Sequence, residues 1–176
     1  MRYVIVSIVK GEAGDFNNNL RKEVFKGFGA KSSKLPAHFT IKAPFEINKD
    51  ISDLENTLDD FCSKEKATEY KIKGYNHFDD RVIYMDVKMS DEGKKLHDRL
   101  IDNLTPIDYI NFDKKDGKDK IFHVTISSKK IRTIYDELWD YVNKYPCNFN
   151  CLFDNITIYK WENNTWNLHR EFLLNT

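Results

Sequence analysis

His38-Phe39-Thr40-Ile41 and His123-Val124-Thr125-Ile126 share one form: histidine, an apolar residue, threonine, isoleucine. In extended backbone, side chains alternate between faces with a period of two. The imidazole and hydroxyl of each copy therefore share a face, and Phe39/Ile41 and Val124/Ile126 point the other way. Each copy is predicted to be a strand with one core face and one face carrying a proton-transfer group beside a hydrogen-bond donor. The same rule adds Lys42, two beyond Thr40, and Ser127, two beyond Thr125, as candidate substrate-binding residues. Two such strands facing each other bring two imidazoles and two hydroxyls around one small site. A pair of half-buried strand histidines with locally satisfied threonines fits the same pattern.

Working outward, residues 2–10 carry apolar side chains on both faces, which predicts a central strand. Gly11 and Gly14 break it, and Asp15 is placed to cap a helix running to about Phe28, ended by Gly29. Lys31-Ser32-Ser33-Lys34 reads as a mobile polar loop, and Pro36 and Pro44 bracket the first motif strand. Ser52-x-x-Glu55 has the spacing of a capping box, followed by an apolar stripe through Cys62. Strands are expected at about 70–78 and 81–89 around an Asp79-Asp80 turn. Ser90 caps a third helix. Residues 105–120 form a long charged connection that reads as a flexible loop. After the second motif come a helix from Ile131 to Val142 and strands at about 147–161 and 165–174 around Asn163-Asn164.

Each motif strand is thus followed by helix, strand, hairpin, strand, with an offset of 123 − 38 = 85 residues between the histidines. This repeat comes from element order, so it supports the motif separately. The expectation is one domain over 1–176, with half-repeats at about 36–89 and 120–174. The fold class is α+β: two pseudo-symmetric antiparallel-sheet lobes, helices on the outer faces and a central cleft.

The chain has 176 residues, with 28 basic and 28 acidic side chains. A net charge of zero argues against coating nucleic acid by bulk electrostatics, and leaves room for a local phosphate pocket. Cys62, Cys147 and Cys151 lack disulfide or metal spacing and read as small apolar residues. There is no signal-peptide layout and no membrane-length apolar run, so a cytoplasmic protein without a membrane or DNA partner is expected.

With an unperturbed pKa near 6.5, one histidine can be neutral while its partner is protonated. In-line displacement at phosphorus needs that pairing: one imidazole takes a proton from water, and the other returns one to the departing ribose oxygen. Thr40 and Thr125 can hold the non-bridging oxygens. Neither metal nor cofactor is required. The two motifs, at this separation, resemble the signatures of the 2H phosphoesterase superfamily, which includes 2'-5' RNA ligase and cyclic phosphodiesterase proteins. The resemblance implies His38 and His123 as catalytic residues and Thr40 and Thr125 as phosphate-holding hydroxyls. It also implies metal-independent hydrolysis of 2',3'-cyclic phosphates of nucleotides or RNA ends, or 2'-5' phosphodiester chemistry. Phe122 before the second motif and Lys129-Lys130 after it stand where many members carry an arginine or aromatic.

Three rival readings remain: a non-catalytic module binding a nucleotide or RNA end, a metal site using His38 and His123, and a toxin-like or tRNA-processing role that differs only in partner. His77, His97 and His169 lack paired motifs and read as surface or structural. Tyr75 and Phe78, or Trp161 and Trp166, are candidates to stack on a base. Lys31, Lys34, Lys42, Lys129 and Lys130 flank the motifs as a candidate phosphate-attracting rim.

Overall fold

The computed structural model describes residues 1–176. Its elements are β1 (Arg2–Ile8), α1 (Gly11–Phe28), β2 (His38–Glu46), α2 (Ser52–Lys64), β3 (Thr68–Phe78), β4 (Val82–Met89), α3 (Asp91–Leu104), β5 (His123–Ser127), α4 (Tyr135–Val142), β6 (Asn148–Phe153), β7 (Asn155–Glu162) and β8 (Thr165–Leu173), with a 3-10 turn at Arg132–Ile134 before α4. They form two four-stranded antiparallel sheets in the orders β2-β1-β7-β8 and β5-β4-β3-β6. The α+β class and the two-sheet arrangement match the expectation, and β1 is interior to its sheet. α2 packs on β8 of the first sheet, and α1 and α3 pack on the second.

The sheets do not follow the order of the chain. The β3-β4 hairpin follows the first motif strand but joins the sheet of the second. The β7-β8 hairpin follows the second motif strand and joins the first sheet through β1. The strand expected over 147–161 is therefore cut at Asp154, with β6 in one sheet and β7 in the other. Asn155 fixes the crossing. It is fully buried, accepts from the Ile8 amide at 2.8 Å and donates to the Ile8 carbonyl at 2.9 Å, standing in for a strand partner at the end of β1.

Several local expectations need correction. α1 begins at Gly11, before Asp15, with Lys10 at the N-cap making no side-chain capping bond. Gly14 lies inside it because a Cβ there would sit 2.1 Å from the Val9 carbonyl oxygen. The Ser52-x-x-Glu55 capping box does not form: Asp50 accepts from the Ser52 amide (3.1 Å) and hydroxyl (2.6 Å), and Glu55 pairs with His169 at 2.6 Å. Pro44 lies within β2, tolerated because β2 is an edge strand. Other expectations match: the Ser90 hydroxyl caps α3 by accepting from the Gly93 amide at 3.0 Å. Asn163 and Asn164 both take positive φ, 53° and 59°, as a tight hairpin requires.

One core runs through both sheets. Phe39 is at its centre, fully buried and edge-on to Tyr70, Phe122 and Phe153, with ring centroids 5.7, 5.5 and 5.1 Å away. Burying such a side chain stabilises by roughly 1.5–3 kcal/mol. The apolar face of each motif thus joins the two sheets and turns the histidine face outward.

His97 on α3 is fully buried, and neither ring nitrogen has a hydrogen-bond partner. Its ring meets Phe122 edge-on at 4.8 Å. Burial holds its pKa down to about 3; Lys120 and Lys94 push the same way and Asp98 opposes them. The unfolded chain takes up this proton near pH 6.5, and the folded chain does not until about pH 3. Between those values the unfolded state binds more protons, so stability falls as pH falls. Urea midpoints of the wild type are expected to drop from pH 6.5 toward pH 4, and His97→Leu is expected to flatten that slope. An unchanged slope in the variant counts against a neutral, buried His97.

Candidate active site

β2 and β5 are edge strands of different sheets, and they lie against each other. His38 and His123 each open their strand, and each makes the same bond. His38 Nδ1 is 2.7 Å from the Pro36 carbonyl, and His123 Nδ1 is 2.8 Å from the Ile121 carbonyl. A carbonyl only accepts, so Nδ1 carries the proton in both rings. Nε2 is then the acceptor in the neutral form and a donor in the cation. The chain two residues before each histidine thus sets its tautomer and aims the same nitrogen.

The threonines are also held alike. The Thr40 carbonyl accepts from the Lys120 ammonium, and the Thr125 carbonyl accepts from Asn17 Nδ2 at 3.2 Å. The next residue of α1, Asn18, accepts from the Ala37 amide at 3.0 Å. Adjacent asparagines of one helix therefore grip both motif strands. Sequence reasoning misses Asn17, although it shares the α1 stripe with Leu20 and Val24, where a polar residue needs a buried partner.

Lys42 and Ser127 do not share the face of the histidines. Val6 pairs with Thr40 and Ile5 with Lys42, so two steps along β2 match one along β1. In the second sheet Tyr84 pairs with Thr125 and Ile83 with Ser127, the same shift at the same motif position. Both motif strands bulge just after the threonine. A bulge re-aims the residues beyond it, so the alternation rule stops holding there. Lys42 turns inward and pairs with Asp116 at 2.9 Å, 8% and 2% exposed respectively. Ser127 is fully buried and donates to the Lys31 carbonyl at 2.9 Å. His38, Thr40, His123 and Thr125 remain at the partly exposed edge.

The flanking loops are tied down. The Lys31 carbonyl also accepts from the amides of Ser128 and Lys129, at 2.9 and 3.1 Å, so the segments beside the two motifs are stitched together. Arg21 donates to the Ser32 hydroxyl and to the carbonyls of Ser33 and Leu35, at 2.8, 2.7 and 2.8 Å. The 105–120 connection is anchored by Asp116, which accepts from the amides of Ala43 and Asp113, both at 2.9 Å, besides pairing with Lys42.

Both imidazoles are held below their usual pKa. Burial pushes His38 to about 4, assisted by Arg21, His123 and Lys120 and opposed by the Pro36 bond. His123 is lowered by burial and by Lys120, with the Ile121 bond opposing. The rings of Phe78 and Tyr84, 5.0 and 5.1 Å from His123, supply its apolar surroundings.

A cavity of about 640 Å³ opens beside His123, lined by His77, Phe78, Lys114, Lys115 and Ile121 among others, a size suited to a nucleotide-scale ligand. Tyr75 is turned away and donates to the Tyr145 carbonyl at 3.1 Å. Trp161 and Trp166 form an edge-on pair 5.1 Å apart, with Arg2 against both rings and Lys34 against Trp161. His77 packs edge-on against Tyr135 and Trp139. No three His, Cys, Asp or Glu side chains converge as a metal-binding group, and no helix is long and apolar enough to cross a membrane.

Comparison with known proteins gives one consistent answer. The chain is 23% identical over 180 residues to a Bacillus licheniformis protein named "Putative phosphoesterase", covering 99% of each chain. It is 24% identical over 178 residues to a Geobacillus thermodenitrificans protein of the same description, covering 99% of this chain and 96% of that one. Among solved structures, TT0787 of Thermus thermophilus aligns with a TM-score of 0.68 at 12% identity, over 99% of this chain and 98% of that one. LigT of E. coli, complexed with 3'-AMP, aligns at 0.60 and 11% identity with the same coverage. Residues 18–165 match the model of the 2'-5' RNA ligase superfamily. That match spans both motifs and most of the chain, and the chain belongs to the 2'-5' RNA ligase superfamily, the 2H phosphoesterases.

Proposed function

We propose that this phosphoesterase hydrolyses 2',3'-cyclic phosphates of nucleotides or RNA ends, or related 2'-5' phosphodiester linkages, with His38 and His123 as general base and acid. The observation that carries the reading is the duplicated Nδ1 bond: two imidazoles on facing edge strands, each with its tautomer set by the carbonyl two residues before it. His38, pushed down to about 4 by burial, is neutral at working pH and suits the base. It takes a proton from water as the water oxygen bonds to phosphorus. His123, protonated as the anionic substrate arrives, gives its proton to the ribose oxygen as the P–O bond breaks. The hydroxyls of Thr40 and Thr125 hold the non-bridging oxygens.

Two further observations support a nucleotide or RNA end as the ligand. Phe78 lines the cavity beside His123 and offers a ring for a base. Another concavity carries Arg21, Lys22, Lys31, Lys34 and Lys129, with no acidic residue in its lining. In a chain of zero net charge this local sorting suits a polyanion. The relative LigT, solved with 3'-AMP and with ATP, supports the same choice.

The test is turnover of 2',3'-cyclic nucleotides by chelator-treated protein, followed across pH. The base must be neutral and the acid protonated. Thus kcat/KM is expected to rise as His38 loses its proton near pH 4, and to fall as His123 loses its own below 6.5. A bell with its maximum on the acid side of pH 6.5 is the expected result. Binding without product would favour a non-catalytic module, and activity lost with the chelator and restored by a metal would favour a metal site.

A further inference from the structure

Three buried residues of this protein carry a formal charge at neutral pH: Lys42, Asp116 and Lys120, 8%, 2% and 6% exposed. They form one cluster. Lys42 and Asp116 neutralise each other at 2.9 Å, which leaves the Lys120 ammonium unbalanced. A buried charge without a counter-charge is costly. The Thr40 carbonyl is the single protein group that accepts from Lys120 Nζ, and an ammonium has three protons to donate. Its Nζ lies over the Phe122 ring, 5.5 Å from the centroid. Lys120 precedes His123 by three residues and bonds to the main chain of the other motif, so it bridges the two strands that carry the histidines.

We propose that Lys120 is a positioning residue whose unbalanced ammonium, fixed between the two motif strands, supplies the positive charge that draws a phosphate anion in between His38 and His123. The inference rests on the reading of the cleft as a phosphate site, and it deepens that reading by naming the charge that selects the ligand. A cyclic phosphodiester carries one negative charge, matching the one positive charge the cluster leaves over. The charge also acts on the histidines. Lys120 contributes to lowering both His38 and His123, so the empty cleft keeps two neutral imidazoles. An arriving anion offsets Lys120 and lets one imidazole take up the proton that an acid must give. The titratable groups that interact with Lys120 are Asp116 of the 105–120 connection, which favours its charge, His97 of α3 and the two motif histidines; Lys94 of α3 also acts on His97, and Arg21 of α1 on His38. Burial brings Lys120 down to about 8.

Lys120→Met keeps most of the side-chain volume and removes the charge. Two measurements that need no turnover test it: NMR titration of His38 and His123, and affinity for inorganic phosphate at pH 7. The variant is expected to titrate both histidines at higher pH than the wild type and to bind phosphate at least about tenfold more weakly, a change of about 1.4 kcal/mol. A purely structural role would move neither titration upward. A folded variant with unchanged titrations and phosphate affinity within twofold overturns the proposal. Should the variant not fold, wild-type protein decides: its phosphate affinity is expected to fall between pH 7.5 and 9.5 as Lys120 loses its proton, and a flat profile overturns the proposal. A protein that shows these effects but never turns over a cyclic nucleotide would refute the catalytic reading and leave the charge assignment intact.

Discussion

Replacing His38 by alanine is expected to lower kcat on a 2',3'-cyclic nucleotide by about 10²–10⁴-fold, the range a positioned acid or base supplies, and His123→Ala is expected to do the same. Neither change should unfold the chain. Each ring is half-buried at a strand end and loses one hydrogen bond to a carbonyl, a net cost of about 1 kcal/mol, while the core below, Phe39 and Val124, is untouched. The two substitutions should also fail to add. When one group takes a proton and the other returns one in a single displacement, removing the first leaves the second little to assist. The double variant is therefore expected to be about as slow as the slower single variant. Steady-state kinetics of the four proteins, with melting curves as the fold control, make the check. A double variant slower by the product of the two single effects would mean that the histidines act in separate steps. Either single variant retaining near-normal turnover would remove that histidine from the mechanism.

The half of the site that carries this prediction is legible in the sequence, because period-two alternation is local. His38 and Thr40, or His123 and Thr125, share a face whenever four residues run extended. The rule fails one residue later. A bulge is counted between two strands, and nothing in Ile41-Lys42 or Ile126-Ser127 announces that β1 or β4 supplies one residue where the motif strand supplies two. The exchange of hairpins is hidden for a related reason: the patterns of 70–89 and 155–173 specify hairpins with a buried face, but both sheets offer an edge to receive them. At Ser52-x-x-Glu55 the competing Asp50 lies two residues outside the motif. The run from Asp113 to Lys120 reads as a solvated tip because every residue in it except Gly117 is charged, and composition counts charges without pairing them. Asp116 and Lys120 are instead among the least exposed ionisable groups in the molecule. Both the fixed charge beside the histidines and the anchor of the loop lie in the stretch that composition assigns to solvent.

That anchor sets the second large effect. Asp116→Ala is expected to destabilise the protein by about 3–5 kcal/mol, the cost of stranding one member of a buried ion pair. Three groups lose their acceptor together: the Lys42 ammonium and the amides of Ala43 and Asp113. Burial alone would raise the Asp116 carboxyl, yet these three donors hold it below its usual range, so the native cluster favours the charged form. Asp116→Asn separates the contributions, since its amide oxygen can still accept from a backbone N–H while the counter-charge for Lys42 is gone. It is expected to fall between wild type and alanine. If the stranded ammonium dominates the loss, Lys42→Met in the Asp116→Asn background should recover stability, because no ammonium then needs a counter-charge at that position. Urea unfolding of the wild type, Asp116→Asn, Lys42→Met and the double variant measures this as a coupling between two residues 74 positions apart in sequence. The kinetic consequence follows from what the anchor holds: Lys114 and Lys115 reach the cavity beside His123 from the same segment, and Lys120 reaches Thr40 from its end. Releasing the segment should therefore raise KM for a cyclic nucleotide as well as lower stability. An Asp116→Ala protein within about 1 kcal/mol of wild type, below the usual cost of breaking a buried pair, would mean that water or another group reaches Lys42, and that the segment is held by its remaining contacts, among them the buried Ile107 and Ile110 and the bond from Lys120 to Thr40.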